Sequence, residues 1–452
     1  MKRPATQSKW AGRRVAIQKV MQRYWKWLLL PAMVILVLAS LYYTAHIPFW
    51  DQWELVEAYR HKATGILSWK DFWVQHNEHR IVLPRLIMFT LGLVTHWDPF
   101  YEVIVNLILG SVIVGQMLRL IKRTFPDKPR LMAGVSLFAA YLLLSPGQWE
   151  NWLWGWQIQW FLSIVGLLGM LLCLTRKTLS KSDLAGAVTM ALVATYSLGN
   201  GFVAWGVGLL VLLARSEVAQ TKKLAWFATG ALATGMHYYR YVNPVGHPSK
   251  SLFLHQPVDF IKYVFVYLGR PLGYDYRLTM ITGCALIVSF LGCCGLLIRK
   301  KQISVMVVAW IGLGLYAAAG AVLTGISRLG LGVDQSYASR YTTVSNLFTI
   351  ACAVLALLAL QYALRAELIS KDRYMRVIVV GALAVFMLGG YNYVNGIREM
   401  RRHHRRLATV EQCLRTARTG QEACLTMAYP NKAIVWERLV FLRKGGLGGH
   451  VK

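Results

Sequence analysis

The chain has 452 residues, 56% of them hydrophobic and 15% charged, with 50 Lys and Arg against 20 Asp and Glu for a net charge of +30. Soluble domains carry about a quarter of their residues charged, and disordered chains hold few large apolar residues, so both classes are excluded. Nucleic-acid binders share the positive charge but not the apolar composition, which leaves a membrane protein with basic faces and no nucleic-acid partner.

Residues 1–27 carry eight Lys and Arg and no acid, and read as a basic cytoplasmic N-terminus. The apolar run 28–47 is too long for a signal-peptide core and reads as a retained first span. Further runs follow at 99–120, 131–148, 157–175, 184–198, 201–214, 224–240, 278–298, 303–324, 343–364 and 376–392. Together they predict an all-α integral membrane protein of about 11 spans. The pair 184–198 and 201–214 breaks at Gly199-Asn200-Gly201, and a hairpin there returns Arg176-Lys177 and Lys222-Lys223 to one face. The predicted organisation is a multi-span domain over 28–392, with a large first outer loop at 48–98, and a small extracytoplasmic tail at 393–452. Within the first loop, 81–95 reads as an interfacial or re-entrant helix with Arg80 and Arg85 at the headgroup level.

This topology puts 26 of the 50 basic residues but only five of the 20 acids on the cytoplasmic side, in keeping with the positive-inside rule. The tail cluster Arg401, Arg402, Arg405 and Arg406 runs against it, and an even span count is the alternative. Cys173, Cys284, Cys293, Cys294 and Cys352 lie in apolar runs and read as buried thiols. Cys413 and Cys424 lie in the polar tail, where an extracytoplasmic location makes a disulfide the expected state.

Fifteen of the acids fall on the outer face, and carboxylates near a membrane are costly unless paired or functional. The first loop opens Trp50-Asp51-Gln52-Trp53-Glu54 and later reads Gln75-His76-Asn77-Glu78-His79-Arg80. Asp51, Glu54 and Glu78 are candidate general bases; Asp51 and Glu54 also suit a helix start. His76, His79 and Arg80 are candidate substrate contacts or members of a bonded polar cluster. Their spacing is not that of the zinc-protease helix. No cofactor is assigned, and a divalent metal on His76 and His79 with Glu78 or Asp51 is kept as an alternative.

Five of the seventeen tryptophans lie within residues 148–160. They read as an interfacial aromatic belt, and Trp149 and Trp154 as faces on which a sugar stacks, with Glu150 binding hydroxyls. Arg270 sits in Gly269-Arg270-Pro271, Arg328 in Ser327-Arg328-Leu329, and Arg340 in Ser339-Arg340-Tyr341. Such arginines either snorkel to lipid phosphate or converge, with Tyr341, on a phosphate-bearing substrate. No Walker-type loop or dinucleotide fingerprint occurs in the sequence.

The acid directly after the first span, the Trp-Asp-Gln-Trp-Glu run, His76-Asn-Glu-His-Arg80, Ser339-Arg340-Tyr341, and a tail with Cys413, Cys424, Tyr429-Pro430 and Gly445-Gly446-Leu447 carry a resemblance. In these features the chain resembles bacterial polytopic glycosyltransferases of the GT-C superfamily. The resemblance implies sugar transfer outside the cytoplasm across a bacterial inner membrane, from a polyprenyl-phosphate-linked donor to a cell-envelope glycan or lipid such as lipopolysaccharide. It implies that Asp51 acts as base or positions the acceptor. Some relatives carry two acids in tandem here, whereas Gln52 follows Asp51 in this chain, so Glu54 and Glu78 stay in play. The alternatives are an O-antigen polymerase or ligase relying on outer Arg and His, and a transporter or flippase for a lipid-linked substrate.

Overall fold

The computed structural model describes residues 24–451 apart from 245, 247, 274 and 419–422. The expected cytoplasmic N-terminus lies outside the described residues as far as residue 23. A 3-10 turn at Trp25–Leu29 leads into α1 (Leu30–Tyr43). There follow α2 (Val56–Ala63), α3 (Val82–Thr95), α4 (Phe100–Thr124), α5 (Pro129–Leu143), α6 (Trp149–Leu153), α7 (Ile158–Leu174) and α8 (Lys181–Thr195). The chain continues through α9 (Val203–Leu213), α10 (Gln220–Tyr238), α11 (Pro257–Gly269), α12 (Tyr276–Arg299), α13 (Val305–Arg328), α14 (Thr342–Arg365), α15 (Lys371–Thr416) and α16 (Lys432–Gly445). Apart from one isolated bridge between His76 and His79, the described residues contain no strand.

Each of the eleven apolar runs is helical, because an apolar segment in lipid must satisfy its backbone internally. Among the described residues, eight stretches are long and apolar enough to cross a membrane: Trp25–Tyr43, Phe100–Thr124, Pro129–Leu153, Gly155–Leu174, Tyr276–Arg299, Val305–Leu331, Ser339–Arg365 and Lys371–Thr416. The chain is a multi-pass membrane protein. Of the remaining three runs, α8 has 15 residues, about 22 Å at 1.5 Å per residue, against a hydrocarbon thickness of about 30 Å. Gly199–Leu213 is likewise short. Helix α10 has 19 residues but carries Lys222, Lys223 and His237.

Side-chain caps mark where several helices begin. Ser180 accepts from the N–H of Asp183 while Asp183 accepts from Ser180, a reciprocal pair that closes the first turn of α8. Ser304, Ser370, Asp275 and Asn431 cap α13, α15, α12 and α16 by accepting from a first-turn N–H.

Two features were not expected from the sequence. Helix α11 lies between the predicted runs 224–240 and 278–298, where no helix was expected, yet Tyr263, Val266, Tyr267 and Leu268 are fully buried. It crosses α12 so closely that a Cβ on Gly269 would sit 1.9 Å from the Thr279 carbonyl oxygen, which only glycine permits. Thirteen residues are too few for a span, so hydropathy gives no sign of it. The second is α15, which runs unbroken for 46 residues, about 70 Å. The expected boundary at 392/393 falls inside this helix.

There are two apolar cores. One fills the bundle around α7 and α14. The other sits where α1 ends and α4 and α7 begin, and joins the first loop (Phe49, Trp53, Val56, Tyr59, Met88) to the end of the chain (Leu407, Leu414, Leu425, Val435, Leu439). Backbone bonds stitch these distant parts together: Trp50 N–H donates to Ala428 O at 2.9 Å, His450 N–H to His46 O at 2.8 Å, and Gly448 N–H to His96 O at 3.1 Å. Cys413 and Cys424 form a disulfide within this assembly.

Candidate active site

Trp50 and Asn77 bracket the site, and both adopt left-handed backbone, at φ 50° and 47°. Such positions cost free energy for residues other than glycine, and surrounding structure holds them. Ala428 fixes Trp50, and the paired bonds between His76 and His79 (2.8 Å each way) close the turn around Asn77. The result brings Asp51, Glu54 and His76 together. Glu54 Oε2 lies 2.8 Å from His76 Nδ1, and Asp51 Oδ2 lies 3.6 Å from His76 Nε2. His76 is buried, with its ring edge-on to Trp156 at 5.0 Å.

Burial disfavours the imidazolium of His76, but Glu54 and Asp51 outweigh it and raise its pKa to about 9. Burial also pushes Glu54 upward, yet His76, Arg85 and Arg438 together hold its carboxyl below the usual carboxylate range. Glu54 is further approached by the Tyr429 hydroxyl at 3.5 Å. It is therefore committed to its neighbours, whereas Asp51 is the less engaged carboxylate, and it follows the exposed indole of Trp50.

The three groups each offer a ligand atom within 4.8 Å of the others, the geometry a divalent cation would need. In this arrangement a metal would compete with the proton on His76, since an imidazole must be neutral to ligate. His79, three residues on, is the opposite case. Burial drives its pKa down to about 3, against Glu78 and with help from Arg328. It packs on Gly199, where a Cβ would come within 1.9 Å of His79 Nδ1. The break in the hairpin between α8 and α9 therefore forms part of the wall.

Glu78 bonds Arg328 at 2.7 Å and lines a cavity of about 310 Å³ with Asn243, Ser249, Lys250, Ser251 and Ser327. Glu150 is held by Ser339 Oγ (2.7 Å), the Arg340 N–H (3.0 Å) and Arg340 Nη1 (2.9 Å). The next residue, Asn151, bonds Arg340 O and Thr343 Oγ1, so the tryptophan-rich segment and the Ser-Arg-Tyr element form one lock.

Several expected substrate contacts are internal. Arg80 is buried, donating to the carbonyls of His237, Trp73 and Tyr239. Arg85 is buried against Val74 O and Glu54. Both guanidiniums turn inward, where they satisfy backbone carbonyls of the first loop and, for Arg80, of the end of α10. Arg270 is buried, stacked on Tyr337 at 4.2 Å, and donates to Tyr337 O, Gly273 O and Asn392 Oδ1. Tyr341 is buried, stacked on Tyr267 at 4.8 Å. Trp149 packs on His403 at 4.9 Å, and Trp154 donates to Phe49 O at 3.2 Å. Arg328 and Arg340 keep partly open side chains, 22% and 25% exposed.

The sequence reading passed over Glu102, which is wholly buried in the first turn of α4. It accepts from Gln52 Nε2 at 2.6 Å and Trp97 Nε1 at 3.0 Å, beneath the turn that carries Asp51. A lone acid opening an apolar run, five residues after a Trp, was the available signal. Trp50, Lys250 and Ser249 were passed over too, because nothing local separates them from ordinary loop residues.

No family model matches the chain, and no curated protein matches it. Among solved structures it is similar to ArnT from Cupriavidus metallidurans bound to undecaprenyl phosphate, at 12% identity and TM-score 0.49, over 86% of this chain and 79% of that one. It is also similar to the Archaeoglobus fulgidus oligosaccharyltransferase in complex with Zn and sulfate, at 13% identity and TM-score 0.38, over 81% of this chain and 53% of that one. The chain thus spans about half the length of the oligosaccharyltransferase. Neither likeness assigns a role to a residue of this chain.

Proposed function

We propose that this protein is an integral membrane glycosyltransferase that moves a sugar from a polyprenyl-phosphate-linked donor to a cell-envelope glycan or lipid. The observation that carries the reading is Asp51 itself. It is a partly exposed carboxylate a few residues beyond the first span, set by a strained Trp50 and placed beside a charged His76. In the proposed step Asp51 takes the proton from an acceptor hydroxyl as its oxygen attacks the anomeric carbon. The bond from that carbon to the donor phosphate oxygen breaks, and its electron pair stays on the phosphate. Direct attack inverts the anomeric centre. Glu54 keeps His76 charged and the local field fixed, while Arg328 and Arg340 supply positive charge for the leaving phosphate.

In this reading the first loop (48–98) and the tail (393–452) are extracytoplasmic, the membrane is the bacterial inner membrane, and the N-terminus is cytoplasmic. The charge distribution and the Cys413–Cys424 disulfide support that orientation. In this reading Asp51 and the arginines carry the transfer, and a divalent cation on Asp51, Glu54 and His76 is the alternative.

The test is mass spectrometry of envelope glycans from cells lacking the gene, complemented with wild type or with Asp51→Asn. Loss of one sugar increment, restored by wild type and not by the variant, is expected. A glycan profile that does not change with the gene, together with movement of a lipid-linked sugar across liposomes, would replace the reading with a flippase.

A further inference from the structure

At the end of the bundle away from Asp51 lies a cavity of about 570 Å³ between the α4–α5 connection, the end of α14 and the start of α15. That volume is typical of small-ligand sites. Lys128, Arg130 and Arg365 line it together with Gln361 and Tyr374, and no carboxylate is among the lining residues. Asp127 is the acid that acts on Lys128 from outside, and it is exposed. Among the described residues neither Arg130 nor Arg365 forms an ion pair.

Lys128 donates to Gln361 Oε1 at 2.5 Å. Gln361 is 7% exposed, and its Nε2 has no acceptor. A buried amide donor without an acceptor costs free energy, and three gathered cations without a counter-charge do so as well. Burial and the nearby Arg365 lower the Lys128 pKa. The first N–H groups of α5 add positive potential at the same wall.

The position of the cavity narrows the ligand. It opens where α14 ends and α15 begins, at the rim of the candidate spans. From Tyr374 onward α15 presents Val377, Val380, Leu383 and Phe386 as exposed apolar side chains. A cationic pocket continuous with such a face fits a ligand with an anionic head and apolar tails.

We propose that this cavity binds the phosphate-bearing headgroup of an anionic membrane phospholipid, with the acyl chains lying along the exposed face of α15. The site is distinct from the Asp51 cluster and does not depend on the chemistry assigned there.

The test is native mass spectrometry of the full chain in detergent, titrated with phosphatidylglycerol, phosphatidylcholine or inorganic phosphate. Wild type is expected to retain phosphatidylglycerol in preference to phosphatidylcholine. Arg130→Gln and Arg365→Gln should each weaken phosphatidylglycerol by about fivefold, and the double variant should treat the two lipids alike. Both arginines are exposed and unpaired, so melting temperatures without added lipid should match wild type or rise slightly as repulsion is relieved. A wild type that holds both lipids equally overturns the proposal, as does a preference that survives in the single and double variants. Inorganic phosphate alone displacing phosphatidylglycerol would mark a soluble-anion site instead.

Discussion

Glu54 and His76 meet at 2.8 Å across the first loop, and this contact sets the charge state of the whole cluster. Glu54 contributes most to the cation pre-formed beside Asp51, and Asp51 adds to it.

A pH dependence of stability follows. The folded pKa of His76 is raised to about 9 from an ordinary 6.5, so its contribution is fully present below about pH 6.5 and is lost as pH rises through 9. With about 1.4 kcal/mol per unit, the loss is at most about 3 kcal/mol. Thermal unfolding in detergent should show wild type losing more stability than His76→Gln between pH 6.5 and 10. Parallel profiles would place the proton elsewhere.

The lock between Glu150 and Arg340 should be costly to break. Glu150→Gln keeps the shape and removes the charge-assisted bond, so a loss of about 1.5–3 kcal/mol is expected. Asp259→Asn, which breaks an exposed pair with Lys262, should cost under about 1 kcal/mol. Melting temperatures of the two variants check the ordering.

Gly199→Ala should disturb the site without removing a polar group. The new Cβ would lie 1.9 Å from His79 Nδ1, so His79 or the hairpin must move, at a cost of about 1–3 kcal/mol. Gly206→Ala, with nothing within 4 Å and a place inside α9, should be neutral or slightly stabilising. The two melting curves, measured side by side, separate close packing from helix propensity.

The disulfide anchors the end of the chain that holds Trp50. Labelling with a membrane-impermeant maleimide should reach Cys413 and Cys424 only after reduction. The Cys413→Ser/Cys424→Ser double variant should lose about 2–4 kcal/mol. Labelling before reduction would mean that the bond is absent in cells.

How much of this was readable from the sequence depended on distance along the chain. The helical runs were legible because hydropathy is a local property. Helix α11 was not, since thirteen residues between polar flanks resemble a loop. The prominence of Asp51, Glu54 and His76 was visible in residue type, but their convergence was not. It depends on Trp50 meeting Ala428 and on a turn around Asn77 that residue type alone does not specify. The arginines misled for a physical reason. Guanidinium groups suit phosphates and backbone carbonyls equally well, and only packing reveals which partner Arg80 and Arg270 found.

The assignment of Asp51 as base is tested most directly by single-turnover transfer in proteoliposomes loaded with a polyprenyl-phosphate-linked sugar and an acceptor. Asp51→Asn should lower the rate by about 100- to 10,000-fold, while the variant keeps the wild-type melting temperature and still binds donor. Transfer at the wild-type rate by Asp51→Asn would contradict the assignment.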